Sequence, residues 1–166
     1  IKKLGNICVS FYKKNKLSTV IKHIPGHGSA SSDSHIILPI VRKKYERLLN
    51  SDFKCFTGIN SHLAMTAHVL YSSLDTVNCV SHSRKIINSI IRKKIKFKGI
   101  LISDDISMKA LKYNLIENSN KAIQAGCNLT LYCAGKYSDS KKLLKNAPYI
   151  DKFTQKKTSQ FYRFLS

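Results

Sequence analysis

The stretch LAMTAHVLY at residues 63–71 decides the fold. It is apolar at nearly every position, whereas a strand with one solvated face alternates apolar and polar residues. An apolar run of strand length without this alternation is typical of a parallel strand that helices cover on both faces. The stretch therefore predicts a parallel α/β protein.

Three further segments have the length and apolar character of strands. They are LSTVIKHI (17–24), GILISDD (99–105) and NLTLYC (128–133). Between the strands, apolar residues recur at steps of three and four, which is typical of amphipathic helices. We expect these helices near residues 4–12, 38–49, 83–95, 115–125 and 138–146. In the third of them Ser83 can cap the helix, and the isoleucines at 86, 87, 90, 91 and 95 form one apolar stripe. Strands that alternate with helices predict a parallel sheet, which is either open or part of an eight-stranded barrel.

The chain of 166 residues carries 29 Lys and Arg against 9 Asp and Glu, a formal net charge of +20. Such a charge suggests a polyanionic partner, such as a nucleic acid. However, the basic residues are spread over every predicted helix, and no aromatic residues alternate with Arg as a base-stacking groove requires. We therefore expect a generally basic surface and no dedicated nucleic-acid site.

The same composition bounds the compartment and the cofactors. No apolar run approaches the roughly 18 residues that span a bilayer, and the first residues lack the pattern of a signal peptide. The five cysteines form no CxxC pair, so we expect free thiols and no zinc ribbon. We expect a cytoplasmic protein without a cofactor or a membrane partner.

Polar residues follow the predicted strands at their carboxyl ends, where parallel α/β folds place their chemistry. They are Lys22, His23, His68, Asp104 and Asp105. Because Asp104 and Asp105 are adjacent, one side chain is expected to face the cleft at the strand ends and the other to face away. Alternation alone does not choose between them. Both could instead cap a following helix near residue 107 or 108.

The stretch KHIPGHGSASSDSH (22–35) is rich in groups that can carry chemistry. Asp33 and His35 are two residues apart, so an extended backbone would place both side chains on the same side. A carboxylate that holds one imidazole nitrogen leaves the other nitrogen free to exchange a proton near pH 7. The alternative is that this segment is only a polar, solvated loop.

A metal site is a second interpretation of this stretch. His23, His27, Asp33 and His35 could surround zinc. His23 and His27 are four residues apart, as metal ligands on a helix are, but a proline and a glycine between them break any helix.

A nucleophilic carboxylate on one strand end and an Asp–His pair on another loop suit a reaction with a covalent intermediate, such as glycoside hydrolysis with retention.

Four motifs now carry a resemblance to a known family. KHIPGHGSASSDSHIILP, LAMTAHVLY, GILISDDISMKAL and AIQAGCNLTLYC resemble consecutive signatures of bacterial β-N-acetylhexosaminidases of glycoside hydrolase family 3, of the peptidoglycan-recycling type. The resemblance covers about residues 1–135. It implies an α/β fold that is the C-terminal half of a (β/α)8 barrel, formed here by residues 1–148 and followed by a basic C-terminal tail at 149–166.

The resemblance also implies residue roles and a substrate. Asp104 corresponds to the family's nucleophile, His35 to its proton donor and acceptor, and Asp33 to the residue that orients this histidine. Lys22 and His23 correspond to residues that bind the sugar. The implied substrate is an N-acetylglucosamine-containing muropeptide. Asp105 would then have a supporting role.

Parts of the family pattern are absent from this sequence. Ile24 stands where the family usually has Phe, and Asn128 stands where Asp is common. More importantly, nothing here matches the family's first half, which supplies an Asp and Arg residues that also hold the sugar. A half barrel exposes two strand edges and one uncovered face, so we expect the isolated chain to be poorly stable or inactive.

Sedimentation and activity measurements on the isolated chain test this expectation. A monomer that folds cooperatively and has full hydrolase activity would contradict it. The remaining alternatives are a basic protein that binds a polyanion through its surface and a metallohydrolase. Binding with a steep salt dependence would favour the first, and loss of activity with chelators would favour the second.

Overall fold

The computed structural model describes residues 1–32 and 37–166. Its main sheet has four strands, all parallel, in the spatial order β1, β3, β5 and β6. Their bounds are Val20–Ile24 for β1, Leu63–Thr66 for β3, Ile100–Asp105 for β5 and Leu129–Leu131 for β6. A second sheet pairs two short parallel strands, β2 (Ile40–Val41) and β4 (Leu70–Tyr71). The predicted sheet of four parallel strands that alternate with helices is confirmed.

Helices separate the strands along the chain. The α-helices are α1 (Lys2–Lys14), α2 (Tyr45–Asn50), α3 (Arg84–Ile86), α4 (Leu115–Ala125), α5 (Tyr137–Asn146) and α6 (Lys152–Leu165). Two short 3-10 helices span Phe53–Phe56 and Val80–His82. The helix that starts as α3 continues as a π-helix over Ile87–Lys94. None of the helices in the two described ranges is both long and apolar enough to cross a membrane.

The predicted isoleucine stripe between β4 and β5 forms the centre of the core. Its members are Ile86, Ile87, Ile90, Ile91 and Ile95, and each is at least 96% buried. The Ser83 hydroxyl accepts a hydrogen bond from the Ile86 N–H group at 3.2 Å, which caps this helix as the sequence predicts. Ala64 of β3 and Leu101 of β5, both fully buried, belong to the same apolar cluster.

The opposite face of the main sheet is less covered. Strand alternation places Leu63 and Met65 on this face, and both are half-buried. Within the described ranges, β1 and β6 each pair with one neighbour in this sheet. Val20 of β1 and Leu129 of β6 each leave 39% of their surface exposed. The exposed edges agree with the expectation for a half barrel, whereas the face that was expected to be uncovered is partly covered.

Two local predictions need correction. The helix expected over 38–49 is shorter, because residues 40–41 form β2 and the helix begins only at Tyr45. Leu38 precedes Pro39, and the residue before a proline avoids helical backbone, while the β-branched pair at 40–41 joins β4 instead. The strand expected over 63–71 is interrupted, since residues 67–69 leave the sheet between β3 and β4.

The segment 149–166, which the sequence marks only as basic, contains the whole of α6. Asp151 caps this helix, since its carboxylate accepts the Thr154 N–H group at 2.7 Å. His62, just before β3, stacks on Phe164 with 4.3 Å between the ring centroids. The domain boundary at residue 148 stays a prediction, but these contacts join α6 to the end of the sheet opposite to the strands' carboxyl ends.

A partly buried hydrogen-bond node ties α6 and the π-helix to the sheet. The Arg92 guanidinium donates to the carbonyls of Phe97 and Gly99 and to the side-chain oxygen of Asn128. The same Asn128 oxygen accepts the Leu101 N–H group at 2.8 Å. The Asn128 amide also donates to the Thr154 hydroxyl at 2.7 Å. One side chain therefore satisfies polar groups from three elements.

The substitution Asn128→Ala should lower the free energy of unfolding by about 1–3 kcal/mol, because it leaves partly buried donors of Arg92 and Leu101 without this acceptor. Urea denaturation followed by circular dichroism measures the change. Asn146→Ala is the matched control, since the Asn146 amide makes one exposed hydrogen bond to the Lys142 carbonyl. Equal effects of the two substitutions would contradict the importance of the node.

Candidate active site

The side chain of Asp104 lies at the carboxyl end of β5 and faces the end of β1. Its Oδ2 atom is 3.6 Å from Nε2 of His23, and the two side chains are 13% and 29% exposed. Its Oδ1 atom accepts the N–H group of Asp105 at 2.9 Å. The Asp104 carboxylate is thus oriented by the main chain, and one oxygen remains directed toward a histidine and solvent.

Asp105 makes different contacts. Its carboxylate accepts hydrogen bonds from the N–H and hydroxyl groups of Ser107 and from the N–H group of Cys133. These bonds tie the loop after β5 to the end of β6. Residues 106–114 form turns and irregular backbone, and α4 begins only at Leu115, so neither carboxylate caps a helix at residue 107 or 108.

Lys22 and His23 lie at the end of β1 and line a cleft of about 670 Å³ together with His27 and Ser29. Lys22 is exposed and His23 is half-buried. Burial lowers the pKa of His23 below its usual value, although the Asp104 carboxylate acts in the opposite direction. At neutral pH the His23 ring is therefore uncharged, and its contact with Asp104 is not an ion pair.

Asp33 and His35 lie outside the described residues, so their predicted roles stay predictions. In the described ranges, no group of three or more His, Cys, Asp or Glu side chains is arranged to hold a metal ion. The rings of His23 and His27, two members of the zinc interpretation, have centroids 5.8 Å apart.

Asp52 anchors the segment that leads from β1 toward residue 33. Its carboxylate accepts hydrogen bonds from the N–H group of Ser29 at 2.9 Å, from the Ser29 hydroxyl at 2.6 Å and from the Ser51 hydroxyl at 2.8 Å. A Cβ atom on Gly26 would come within 2.6 Å of Asp52 Cβ, so only glycine allows this approach. Sequence analysis missed Asp52, because an isolated Asp after a short helix carries no pattern.

His68 is a second residue whose contacts were not predicted. It stands at a strand end in the sequence, but only the structure shows that its ring contacts the main chain of Asp105. The one available signal was a histidine inside an otherwise apolar run, LAMTAHVLY. A buried polar ring in such a run needs hydrogen-bond partners.

The Asp52 carboxyl group should make the stability of the protein depend on pH. Burial by itself would raise its pKa, but the hydrogen bonds from Ser29 and Ser51 outweigh burial and hold the pKa below the usual 3.8. The unfolded chain therefore binds this proton more readily than the folded protein. The stabilisation is fully present above about pH 5 and is lost as the pH falls below 3.8 through the folded value.

We predict that Asp52→Asn lowers the free energy of unfolding at pH 7 by about 1–3 kcal/mol, and that its difference from wild type narrows between pH 5 and pH 3. Denaturant titrations at several pH values measure both effects. Glu46→Gln, a change at an exposed carboxyl of α2, is the control. It should change neither the free energy of unfolding at pH 7 nor the dependence of this free energy on pH. A difference that stays constant over this pH range would contradict the prediction.

Comparisons with known proteins show the family to which this chain is similar. The sequence model of the glycosyl hydrolase family 3 N terminal domain matches residues 1–158. A β-hexosaminidase from Haemophilus influenzae is 36% identical over 140 residues, which cover 78% of this chain and 40% of that protein.

Two solved structures extend the comparison to the fold. The β-N-acetylglucosaminidase from Thermotoga maritima has a TM-score of 0.73 at 29% identity and covers 96% of this chain and 37% of its own. NagZ from Neisseria gonorrhoeae, in complex with N-trifluoroacetyl-D-glucosamine, has a TM-score of 0.76 at 26% identity and covers 92% of this chain and 43% of its own. The chain spans about two fifths of the length of the relatives it matches.

Proposed function

Because this chain belongs to glycosyl hydrolase family 3, through that family's N-terminal domain, we propose that it is a retaining β-N-acetylhexosaminidase or the catalytic half of one. The proposed substrate is terminal β-linked N-acetylglucosamine in peptidoglycan-derived muropeptides, and the proposed setting is peptidoglycan recycling in the cytoplasm. The observation that carries the proposal is the Asp104 carboxylate, which faces His23 across the ends of β1 and β5 at 3.6 Å.

Asp104 has the surroundings that a nucleophile needs. A nucleophilic carboxylate must be held in a defined orientation, and here Oδ1 accepts a main-chain N–H group while Oδ2 faces His23. Asp105 is unsuited to this role, because Ser107 and Cys133 occupy its carboxylate. The geometry therefore supports Asp104 as the nucleophile and Asp105 as a structural residue.

The proposed reaction has two steps. In the first, Asp104 attacks the anomeric carbon, the glycosidic bond breaks, and His35 gives its proton to the leaving oxygen. In the second, His35 takes a proton from water, the water oxygen attacks the anomeric carbon, and the bond to Asp104 breaks. Asp33 orients the imidazole of His35 throughout, and Lys22 and His23 hold the sugar.

Named relatives support the substrate class. The Haemophilus influenzae relative is called a β-hexosaminidase, and the Neisseria gonorrhoeae neighbour was solved with an N-acylated glucosamine derivative. The formal charge of +20 fits a muropeptide, because the carboxylates of its peptide would be attracted to a basic surface. The uncharged His23 ring fits a neutral sugar hydroxyl as its hydrogen-bond partner.

We predict that Asp104→Asn lowers the rate of hydrolysis of a chromogenic N-acetyl-β-glucosaminide by about 10³-fold or more, because the amide cannot form the covalent intermediate. Asp105→Asn should cost less, since it weakens loop contacts only. Steady-state kinetics measures both, and Glu46→Gln, in α2 and exposed, should leave the rate unchanged.

A fluorinated N-acetylglucosaminide that traps the intermediate, followed by peptide mass mapping, should label Asp104. Labelling of another residue would overturn the assignment of the nucleophile. Failure of the wild-type chain both to hydrolyse the substrate and to become labelled would contradict activity of this chain by itself, and it is the outcome expected if the chain is only the catalytic half. Inhibition by chelators would instead favour a metallohydrolase.

A further inference from the structure

The imidazole of His68 is the centre of a buried polar chain that reaches the end of β5. The residue is fully buried, with 0% exposure, and lies between β3 and β4. Its Nε2 atom is 3.0 Å from the carbonyl oxygen of Asp105, and its Nδ1 atom is 2.9 Å from the hydroxyl of Ser81. Both ring nitrogens are therefore paired, and one is paired with the main chain of the residue after Asp104.

These partners fix which nitrogen carries the proton. A carbonyl oxygen only accepts, so Nε2 of His68 must carry hydrogen to bond to Asp105. Burial lowers the pKa of His68 below its usual value, against the opposing effect of the Asp104 and Asp105 carboxylates, so the ring is neutral at pH 7. A neutral imidazole has a single N–H group, and Nδ1 must therefore accept the hydrogen of Ser81.

Two more buried groups complete the chain. The Ser81 hydroxyl is 2.6 Å from the hydroxyl of Thr66 and 3.3 Å from the carbonyl oxygen of Ala67. Because Nδ1 of a ring that carries its hydrogen on Nε2 can only accept, the single Ser81 hydrogen goes to His68, and the Thr66 hydroxyl donates to Ser81. Thr66 and Ser81 are both 0% exposed. The ring of His68 is thus held from both sides, away from competing water.

This chain of hydrogen bonds ends at Asp105, the residue whose main chain orients the candidate nucleophile, Asp104. The N–H group of Asp105 donates to Oδ1 of Asp104 at 2.9 Å, and the carbonyl group of Asp105 accepts from His68. Asp105 thus binds Asp104 through its N–H group and the ring of His68 through its carbonyl group. The same carbonyl oxygen also accepts the Met108 N–H group at 3.2 Å, so a change at His68 would leave it with this longer bond and give the Asp105 backbone more freedom.

We propose that His68 is a positioning residue: by holding the carbonyl group of Asp105, it fixes the main chain that presents the Asp105 N–H group to the carboxylate of Asp104. In this role His68 acts by holding the main chain of Asp105 in place. Its consequence for catalysis rests on the proposed function of Asp104 as nucleophile, whereas the hydrogen-bond chain itself does not.

The first test needs no substitution. Long-range ¹H–¹⁵N correlation spectra of the ¹⁵N-labelled wild-type chain report which nitrogen of each histidine carries hydrogen. We expect His68 to be a neutral ring with hydrogen on Nε2 at pH 7. A ring with hydrogen on Nδ1 could not donate to the Asp105 carbonyl, and that result would overturn the proposal even if every variant failed to fold.

The second test uses two variants, each of which keeps one of the two hydrogen-bonding groups of the His68 ring. His68→Gln places an amide N–H group near the position of Nε2 and keeps a donor for Asp105, whereas His68→Asn reaches only the position of Nδ1 and keeps an acceptor for Ser81. Amide hydrogen exchange of Asp105 is measured against that of Leu101, which lies at the other end of β5 and bonds to the Asn128 side chain.

We expect the Asp105 amide to exchange about tenfold faster in His68→Asn than in wild type, and within about twofold of wild type in His68→Gln, after correction by Leu101. Unchanged exchange in His68→Asn would overturn the proposal, because the ring would then not control this part of the main chain. Equal acceleration in both variants would overturn it as well, since the donor at Nε2 would not be the group that matters.

Steady-state kinetics distinguishes the positioning role of His68 from the proposed catalytic activity. If Asp104 is the nucleophile, His68→Asn should lower kcat by about 10–100-fold while KM changes less than about threefold, and His68→Gln should recover most of the loss. If the wild-type chain hydrolyses nothing but the exchange pattern appears, the proposed activity fails and the positioning of the main chain stands. If activity is present but the exchange pattern is absent, the positioning role fails alone.

Discussion

The pairing of β3 with β5 is the constraint on which the rest of the site depends. The two strands run parallel and in step, with Leu63 opposite Ile100, Ala64 opposite Leu101 and Met65 opposite Ile102. In this register Thr66, the last residue of β3, lies level with Ser103, so the residues that follow β3 meet the last residues of β5. A slip of one residue would move Leu101 out of the apolar cluster and turn Asp104 to the other face of the sheet.

Much of this architecture could be predicted, because parallel strands and amphipathic helices leave strong periodic patterns. The isoleucine stripe and its Ser83 cap are of this kind. The choice between Asp104 and Asp105 was different. The pairing of β5 with β6 shifts register between Ile102 and Asp105, so simple alternation cannot be extended to the last residues of β5. Only the hydrogen bonds distinguish the two carboxylates.

Other parts of the fold depend on contacts between distant residues and leave no local pattern. The attachment of α6 requires Asn128 to meet Thr154 and His62 to meet Phe164, and neither pair is adjacent in sequence. The Asp52 anchor joins two segments 23 residues apart. Interactions of this kind are specific once formed, but a hydroxyl or a carboxylate in the sequence does not indicate which partner it will find.

The site also shows how a strongly basic chain can keep the histidine rings of its polar centre uncharged. Burial lowers the pKa of both His23 and His68, so the rings nearest the candidate nucleophile are neutral near pH 7. A neutral ring can orient a carboxylate or a carbonyl group without forming an ion pair that would blunt the carboxylate's reactivity. Positive charge is left to exposed groups such as Lys22, which lies at the rim of the cleft.

The π-helix at Ile87–Lys94 has a consequence for how the chain length between β4 and β5 can vary. In this segment each N–H group reaches a carbonyl five residues back, as the Ile95–Ile90 bond of 2.8 Å shows, whereas an α-helix spans four. The wide turn thus accommodates one residue more than an α-helix would need. Removal of one residue here would let the turn close as ordinary α-helix, so a single-codon loss at this point can be absorbed without shifting β5.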